Sequence, residues 1–375
     1  MGRISPDSEV KDMRINTVKG VRICAVAGAV STKWKATDSY SDVLGQAVID
    51  SFKRSSGVEG RYLVQPNQTA GDLCYAAAKK ILTEKKIDPR DVGALVFVTQ
   101  SPDYGEPATA CVLQYRLGLS TDCYAFDVTL GCSGYAYGLN IVSSMMANSN
   151  MRYGLLLAGD TKGMEPTADR KEGESNSVTL LLGDAGTATL LEKVPEGEQC
   201  DDMVFMGETD GSGFKATGNC WRGYRHQINK GLAFMDDLEV FNYIMSSAPR
   251  MIRQYMEYTG TTPDDYDCFA LHQASLFTLK QVARKIGTKM DKVPLSLNKF
   301  GNTGPASIPM ALVSAYGEAS EKARIKTLMC GFGVGLSISA SSAVLNTDDI
   351  YPVIETDEWF NDGMFDFYCN TEENR

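Results

Sequence analysis

The chain has 375 residues, of which 43% are hydrophobic and 22% charged, and its formal net charge is −10. This composition excludes disordered, collagen-like and disulfide-scaffold proteins, and the negative charge argues against nucleic acid or an anionic membrane as the main partner. The length predicts two domains, or one α/β unit of roughly 300 residues or more. Only two histidines are present, so any histidine chemistry must use His226 or His272.

The ten cysteines and the N-terminal segment favour a cytoplasmic location. The first 20 residues mix charges throughout and lack the apolar stretch of a secretory signal. The cysteines form no CxxC pair, and most lie in apolar segments, where cysteine packs as a small hydrophobic residue. We therefore expect free thiols and no structural zinc. The apolar runs have the length of strands and are too short to span a bilayer.

Strands and helices are predicted to alternate in two similar halves. The first half predicts a helix over 69–85, a strand over 93–99, a helix that ends at 118, a strand over 124–128, a glycine-flanked turn at 130–134 that opens a helix, and a strand over 153–158. The second half predicts a helix over 240–259, a strand over 268–271, a helix that ends at 287, a strand over 293–297, a glycine turn at 300–304 that opens a helix, and a strand over 326–330. Matching features are offset by about 170 residues.

This repeat predicts a duplicated α/β fold. Alternating strands and helices are typical of βαβ units, which form parallel sheets covered on both faces. We therefore expect two halves related by a pseudo-dyad, and we place them at 1–195 and 196–346. The remaining segment, 347–375, is an acidic tail that also contains several aromatic residues.

Three residues lie where open α/β sheets bind ligands, beyond the carboxyl ends of strands. Cys132 lies in the turn at 130–134 (the cysteine turn), Asn302 lies in the turn at 300–304 (the asparagine turn), and His272 ends a strand. We expect them to meet between the halves. The helix after Cys132 offers unpaired N–H groups and a partial positive charge, which favour a thiolate and can stabilise an oxyanion. Structural alternatives stay open: a small buried cysteine, a hydrogen-bonded histidine and a turn or helix-cap asparagine.

The chain order of these residues, cysteine, histidine and then asparagine, also occurs in papain-like proteases. Those enzymes carry the nucleophile near the mature N-terminus. In this chain about 130 residues with an α/β pattern precede Cys132. The protease interpretation is therefore rejected.

Several motifs agree in order and spacing with one enzyme family. They are Phe126-Asp127-Val128 followed by Gly131-Cys132-Ser133-Gly134, the segment 181–188, His272-Gln273-Ala274, Gly301-Asn302-Thr303, and Gly331-Phe332-Gly333-Val334-Gly335. From about Arg22 to Leu345, the chain resembles the β-ketoacyl-acyl-carrier-protein synthase III branch of the thiolase-like condensing enzymes. The resemblance implies a duplicated, thiolase-like αβαβα layered fold and a homodimer.

The same resemblance implies an acyltransferase that works in two steps. Cys132 attacks an acyl thioester and holds the acyl group, and the backbone N–H groups of Cys132 and Val334 form the oxyanion hole. His272 and Asn302 then hydrogen-bond a malonyl-type thioester and stabilise the enolate that forms as carbon dioxide leaves. The substrates are thioesters of coenzyme A or of an acyl carrier protein's phosphopantetheine, and no metal or redox cofactor takes part.

The substrate-binding positions depart from the family pattern. An arginine that contacts coenzyme A corresponds to Arg170, and Phe332 is predicted to contact substrate. The position that shapes the partner subunit's acyl pocket, aromatic in the straight-chain fatty-acid enzymes, corresponds to Glu106. This glutamate predicts a polar primer and a specialised pathway, unless it is only a solvent-exposed loop residue. Carrier docking is assigned to three basic residues on the helix after His272: Lys280, Arg284 and Lys285.

Three other functions stay open. One is transfer of the acyl group to an alcohol or amine without decarboxylation. A condensation like that of hydroxymethylglutaryl-CoA synthase is disfavoured, because it needs a glutamate base where this chain has Gln100. A degenerate, non-enzymatic subunit is disfavoured because Cys132, His272 and Asn302 are all present.

Overall fold

The computed structural model describes residues 14–166, 176–219 and 233–363. Its strands are β1 (Ile15–Val18), β2 (Val21–Val30), β3 (Trp34–Ala36), β4 (Gly60–Tyr62), β5 (Val92–Val98), β6 (Tyr124–Val128), β7 (Tyr153–Asp160), β8 (Ala185–Lys193), β9 (Met203–Thr209), β10 (Thr217–Asn219), β11 (Ala233–Met235), β12 (Cys268–Leu271), β13 (Arg324–Gly333), β14 (Ser337–Asn346) and β15 (Ile354–Glu355). Its helices are α1 (Ser41–Leu44), α2 (Gln46–Ser56), α3 (Ala70–Glu84), α4 (Thr109–Arg116), α5 (Gly134–Ala147), α6 (Asn176–Leu181), α7 (Asp237–Thr259), α8 (Leu276–Ile286), α9 (Leu297–Phe300) and α10 (Ser307–Tyr316).

Two large sheets carry the fold, and they repeat the same pattern of strand pairing. The first has the order β15-β2-β8-β7-β5-β6, and the second has the order β1-β9-β14-β13-β12. In the first, β5 is parallel to β7, and β8 is antiparallel to both β7 and β2. In the second, β12 is parallel to β13, and β14 is antiparallel to both β13 and β9. The matching order confirms the predicted duplication of the α/β fold.

The sheets are mixed, so the prediction of parallel sheets is correct for some strand pairs and wrong for others. Only residues 334–336 separate β13 from β14, and these two strands pair from Arg324↔Asn346 to Gly333↔Ser337. A parallel connection needs a crossover of roughly a dozen residues or more, so such a short link forces an antiparallel hairpin.

Helices and sheets stack in five layers. Helices α3 and α4 pack on the outer face of the first sheet, and α7 and α8 pack on the outer face of the second. Between the sheets lie α5, represented by Tyr135 and Leu139, and α10, represented by Ile308 and Leu312, in one buried apolar cluster. This central layer brings the start of α5 and the start of α10 together between the halves. Within the described ranges, no helix has both the length and the apolar character needed to cross a bilayer.

The strand predicted at 293–297 does not form. Pro294 has no N–H group to donate, and its carbonyl oxygen accepts from the Gln273 side chain at 3.2 Å. The side-chain oxygen Oε1 of Gln273 also accepts hydrogen bonds from the N–H groups of Ser296 and Leu297, at 3.0 and 3.4 Å. Because one buried side chain satisfies these backbone groups, the segment needs no neighbouring strand, and α9 begins at Leu297.

The described part of the C-terminal tail packs on the first half. Strand β15 pairs in parallel with β2, and the Phe360 N–H donates to Asp72 at 3.0 Å. The first sheet thus takes an edge strand from the tail, while β1 joins the second sheet through β9. The divisions at 195/196 and 346/347 stay predictions. The second sheet includes β1 from before the first division, and the first sheet includes β15 from after the second division.

The cysteines of the described residues are free thiols, as expected. Eight are unpaired, and Cys74, Cys268 and Cys330 among them are buried. Cys220 and Cys369 lie outside the described residues.

Candidate active site

The cysteine turn connects the end of β6 at Val128 to the start of α5 at Gly134. Two glycines of β13 approach it from the other half. A Cβ atom at Gly331 would lie 2.6 Å from the Cys132 carbonyl oxygen, and one at Gly333 would lie 2.8 Å from the Cys132 Cβ and 3.1 Å from its Sγ. Only glycine, which has no Cβ, allows β13 to end directly against the Cys132 side chain.

Burial dominates the ionisation of Cys132, which is surrounded by protein but keeps some exposure. It raises the pKa of the thiol to about 11; the Lys162 ammonium opposes this rise, and Asp160 adds to it. The nearby backbone N–H groups of Cys132 and Val334 favour the ionised form of the thiol and lower its pKa. The expectation of a thiolate in the resting protein is therefore wrong, because the thiol predominates at neutral pH. The role of these two N–H groups as an oxyanion hole stays a prediction.

His272 is held rigidly at the end of β12. Its backbone N–H donates to the Cys330 carbonyl oxygen at 3.0 Å, and its imidazole is 2% exposed. Nδ1 lies 2.6 Å from the Oγ atom of Ser307, the first residue of α10. Phe332 meets the ring edge-on, with centroids 5.5 Å apart. Burial lowers the pKa of His272 to about 3, so the imidazole is neutral and carries one proton.

The asparagine turn is held by a segment of the first half. The Asn302 N–H donates to the Leu181 carbonyl oxygen at 2.8 Å, and the Gly183 N–H donates to the Asn302 carbonyl oxygen at 3.1 Å. The Asn302 side chain is nearly buried, and its Oδ1 accepts from the Gly304 N–H at 3.0 Å. This bond orients the amide, so its NH₂ group remains a donor.

Contacts across the two sheets bring the three predicted residues to one place. Gly333 lies against Cys132, and its neighbour Phe332 packs on His272. The imidazole in turn contacts Ser307, five residues after Asn302. The end of β13 therefore lies between Cys132 and His272, and the segment 302–307 connects the imidazole to the asparagine turn.

A polar cluster of Gln100, Asp160 and Lys162, which we call the Lys162 cluster, lies beside both turns. Lys162 Nζ donates to Gln100 Oε1 at 2.6 Å and pairs with Asp160 Oδ2 at 3.2 Å. The Gln100 amide packs on Gly131, where a Cβ would lie 2.6 Å from Oε1. Asp160 Oδ2 packs in the same way on Gly304, at 2.8 Å from a Cβ built there. The cluster therefore contacts both the cysteine turn and the asparagine turn.

Sequence reasoning missed Asp160, Lys162 and Ser307. A signal existed for Asp160, since a charged residue that ends an apolar strand lies at the sheet edge where ligands bind. Lys162 follows two residues later. Ser307 carried no such signal, because a serine in the first turn of a helix is common.

The other predicted residues have no contact with Cys132 or Asn302 that the described structure shows, and only Phe332 contacts His272. Phe332 is fully buried and contacts His272, and its role in substrate binding stays a prediction. Glu106 is exposed in the loop between β5 and α4. Arg170 and His226 lie outside the described residues. Three basic residues of α8 are exposed: Lys280, Arg284 and Lys285.

Acidic, histidine and cysteine side chains form no candidate metal site in the described part of the chain. No group of three or more of these residues is arranged there to hold an ion.

Two family models match the chain, and several solved structures are similar to it. The model of 3-oxoacyl-[acyl-carrier-protein] synthase III matches residues 126–211, and the model of its C-terminal part matches 256–345. A crystal structure of 3-oxoacyl-(acyl-carrier protein) synthase from Burkholderia xenovorans LB400 is 31% identical, with 92% of this chain and 100% of that chain covered and a TM-score of 0.85. The chain belongs to the 3-oxoacyl-[acyl-carrier-protein] synthase III family.

Curated relatives of this synthase III agree with the assignment. The β-ketoacyl-[acyl-carrier-protein] synthase III of Koribacter versatilis is 28% identical over 294 residues, which cover 76% of this chain and 86% of the relative. The corresponding enzyme of Caldanaerobacter subterraneus is 29% identical over 293 residues, with the same shares covered. The matched family models include Cys132 in the first half and His272 and Asn302 in the second. The chain is therefore an acyltransferase of the thiolase-like condensing class.

Proposed function

We propose that this synthase III joins an acyl group held on Cys132 to a malonyl-type thioester by decarboxylative Claisen condensation, in a specialised pathway. The main support is that one site combines a thiol contacted by two backbone N–H groups with two neutral side-chain donors, His272 and Asn302. The backbone pair suits the oxyanion of an acyl-transfer step. The side-chain pair suits the oxygen of an enolate.

The first step is acylation of Cys132. Its Sγ attacks the carbonyl carbon of the acyl thioester, the new S–C bond forms, and the S–C bond to the carrier breaks. The thiol proton leaves with the departing carrier thiol. The N–H groups of Cys132 and Val334 hold the negative oxygen of the tetrahedral intermediate. Because the resting thiol is protonated, ionisation accompanies substrate attack instead of preceding it.

The second step is condensation. His272 Nε2–H and the Asn302 amide donate to the thioester carbonyl oxygen of the malonyl-type substrate. The bond between its α-carbon and carboxylate breaks, carbon dioxide leaves, and the electron pair moves into the enolate. The α-carbon then attacks the acyl carbonyl carbon, the bond from that carbon to the Cys132 sulfur breaks, and the released thiolate takes a proton from solvent. The electron pair moves only among these atoms, so the proposal involves no metal or redox cofactor.

Thioesters of coenzyme A or of an acyl carrier protein are the proposed substrates. The relatives are β-ketoacyl-[acyl-carrier-protein] synthases III, and their name includes the acyl carrier protein. Carrier proteins are acidic, and a basic surface on α8 is suited to bind one. That surface comprises Lys280, Arg284 and Lys285, all of them exposed. A primer with a polar group requires Glu106, which is exposed in this chain, to reach the acyl pocket of a partner subunit.

A homodimer built on β6 is part of the proposal. Strand β6 is the last strand of the first sheet, and Tyr124 at its start is 61% exposed. Tyr115, on the helix α4 that packs on β6, is 76% exposed. An exposed edge strand with apolar side chains favours pairing with another chain, and a second copy would continue the sheet.

Free cysteines are compatible with action in the cytosol.

The two half-reactions can be tested separately. The protein is incubated with a panel of acyl thioesters, and mass spectrometry maps any added mass to individual cysteines. A malonyl thioester is then added, and carbon dioxide and the condensed product are measured. Cys132→Ala is expected to abolish the adduct, whereas Cys111→Ala, which alters an exposed cysteine, serves as the control.

Each outcome decides between functions. An adduct on Cys132 followed by release of carbon dioxide and formation of a ketoacyl thioester supports the proposal. An adduct that transfers to an alcohol or amine without decarboxylation replaces condensation with simple acyl transfer. No adduct across a broad panel of acyl thioesters would contradict every enzymatic interpretation that uses Cys132.

A further inference from the structure

Lys162 is a half-buried cation held in place beside the cysteine turn. Its side chain is 27% exposed, and its ammonium contacts the Gln100 carbonyl oxygen at 2.6 Å and Asp160 Oδ2 at 3.2 Å. A lysine side chain normally samples many rotamers, and ordering it costs free energy. Two short contacts at this place therefore hold the ammonium in position before any substrate arrives.

The held ammonium lies one side chain away from the cysteine turn. Gln100, its hydrogen-bond partner, packs directly on Gly131, the residue before Cys132. The charged groups that act on the sulfur are Lys162, which favours the ionised form, and Asp160, which opposes it. His272 adds no charge, because burial keeps the imidazole neutral.

Asp160 does not cancel the effect of Lys162, because its charge is satisfied elsewhere. Its Oδ1 accepts three hydrogen bonds, from Thr99 Oγ1 at 3.1 Å, from the Gln100 N–H at 2.7 Å and from Ser101 Oγ at 3.1 Å. These three donors stabilise the negative charge at Oδ1. Of the two charges, the ammonium has the larger effect on the sulfur.

We propose that Lys162 is a positioning residue for Cys132: its ammonium, held by Asp160 and Gln100, stabilises the negative charge that develops on the sulfur when the thiol proton leaves. This inference rests on the reactive Cys132 of the proposed function. The ammonium compensates for the burial of the thiol at the moment of attack. The partial positive charge of the helix N-terminus does not keep the thiol ionised at rest, and the ammonium adds to that charge during attack.

Alkylation of Cys132 tests this without any acyl substrate. Rates are measured for the full chain from pH 7 to 9.5 with neutral iodoacetamide and with anionic iodoacetate, and peptide mapping reports Cys132 alone. The Cys132–carbon bond forms, the carbon–iodine bond breaks, and the thiol proton goes to solvent. The variants are Lys162→Met, which removes the charge, and Lys162→Arg, which keeps it. Lys33→Met is the matched control, since Lys33 pairs with Glu165 at 3.4 Å on the surface.

Lys162→Met is expected to raise the pKa of Cys132 by about one unit. The thiolate fraction then falls tenfold, but the remaining thiolate is more nucleophilic, so iodoacetamide reacts roughly threefold more slowly. Iodoacetate also loses its attraction to the ammonium, so its rate falls roughly tenfold and the ratio of the two rates changes. Lys162→Arg and Lys33→Met are expected to keep the wild-type ratio.

A change in local packing would slow both reagents equally, so an unchanged ratio in Lys162→Met overturns the inference. If that result accompanies a normal acyl adduct on wild-type Cys132, the proposed function survives without it. If the ratio changes but no acyl thioester modifies Cys132, the inference stands and the condensing function fails. Thermal unfolding of each variant verifies that the rates are those of folded protein.

Discussion

Removal of the Ser307 hydroxyl tests how His272 is prepared to donate. Nδ1 of the imidazole lies 2.6 Å from Ser307 Oγ, and both side chains are buried. A neutral imidazole carries a single proton, so a hydroxyl that donates to Nδ1 leaves that proton on Nε2. Nε2 is the nitrogen that faces the malonyl-type thioester in the proposed condensation. Ser307→Ala removes the donor and allows the proton to move to Nδ1, where it is useless for catalysis.

The size of the effect follows from the burial of this contact. A buried polar atom that loses its partner costs about 1–3 kcal/mol. Part of this cost lowers the free energy of unfolding, and part appears as the fraction of His272 in the wrong tautomer. We expect the condensation rate to fall roughly ten- to hundredfold, since each 1.36 kcal/mol corresponds to a factor of ten. Acylation of Cys132 uses the backbone N–H groups and is expected to change less than threefold.

The assay measures the two steps separately and observes the proton directly. Mass spectrometry follows acylation, carbon dioxide release follows condensation, and ¹⁵N spectra of histidine-labelled protein report the tautomer. Only two histidines contribute to such spectra, and His272→Gln assigns them. Ser307→Thr, which keeps the hydroxyl, is expected to restore most of the rate. Equal losses in both steps, or an unchanged tautomer in Ser307→Ala, would refute the reasoning.

Three further outcomes are expected. Gly333→Ala places a methyl group 3.1 Å from the Cys132 sulfur and is expected to cut acylation more than tenfold; Gly105→Ala, with nothing within 4 Å, should be neutral. An unfolded histidine titrates near 6.5 and buried His272 at about 3, so between these pH values the unfolded state binds one more proton and the free energy of unfolding decreases as the pH is lowered. Urea titrations should therefore show that, as the pH is lowered through this range, the free energy of unfolding decreases less steeply in His272→Gln than in the wild type, by up to about 1.4 kcal/mol per pH unit. Equal slopes in the two proteins would contradict this. Arg284→Glu should weaken acidic-carrier binding several-fold at low salt and little at high salt, and a loss independent of salt would argue against docking on α8.

Much of the secondary structure could be predicted from local pattern. Strands β6 and β12 match the predicted ranges residue for residue, and α3 and α7 begin and end within three residues of theirs. Apolar runs bounded by glycine or proline predict strands and helices well, because the spacing of apolar residues follows the repeat of the element that buries them. The segment 293–297 was wrongly predicted as a strand, because the Gln273 side chain hydrogen-bonds its backbone and no local pattern reveals such a distant partner.

The candidate site was predictable in its identities but not in its electrostatics. The glycine turns around Cys132 and Asn302 and the strand end at His272 were visible in the sequence. The ionisation of Cys132 was predicted with the wrong sign, because the helix N-terminus is a local feature and burial is not. Burial outweighs the helix here and keeps the thiol protonated at neutral pH.

The sequence by itself determined that this is a duplicated α/β chain with a cysteine, a histidine and an asparagine at strand ends, because strand and helix patterns and glycine turns depend on neighbouring residues. Only the tertiary structure decided what surrounds those groups. Ser307 reaches His272 across 35 residues, and Lys162 reaches Gln100 across 62. Contacts over such distances depend on how the sheets and helices pack, and these contacts set the proton on the imidazole and the charge beside the thiol.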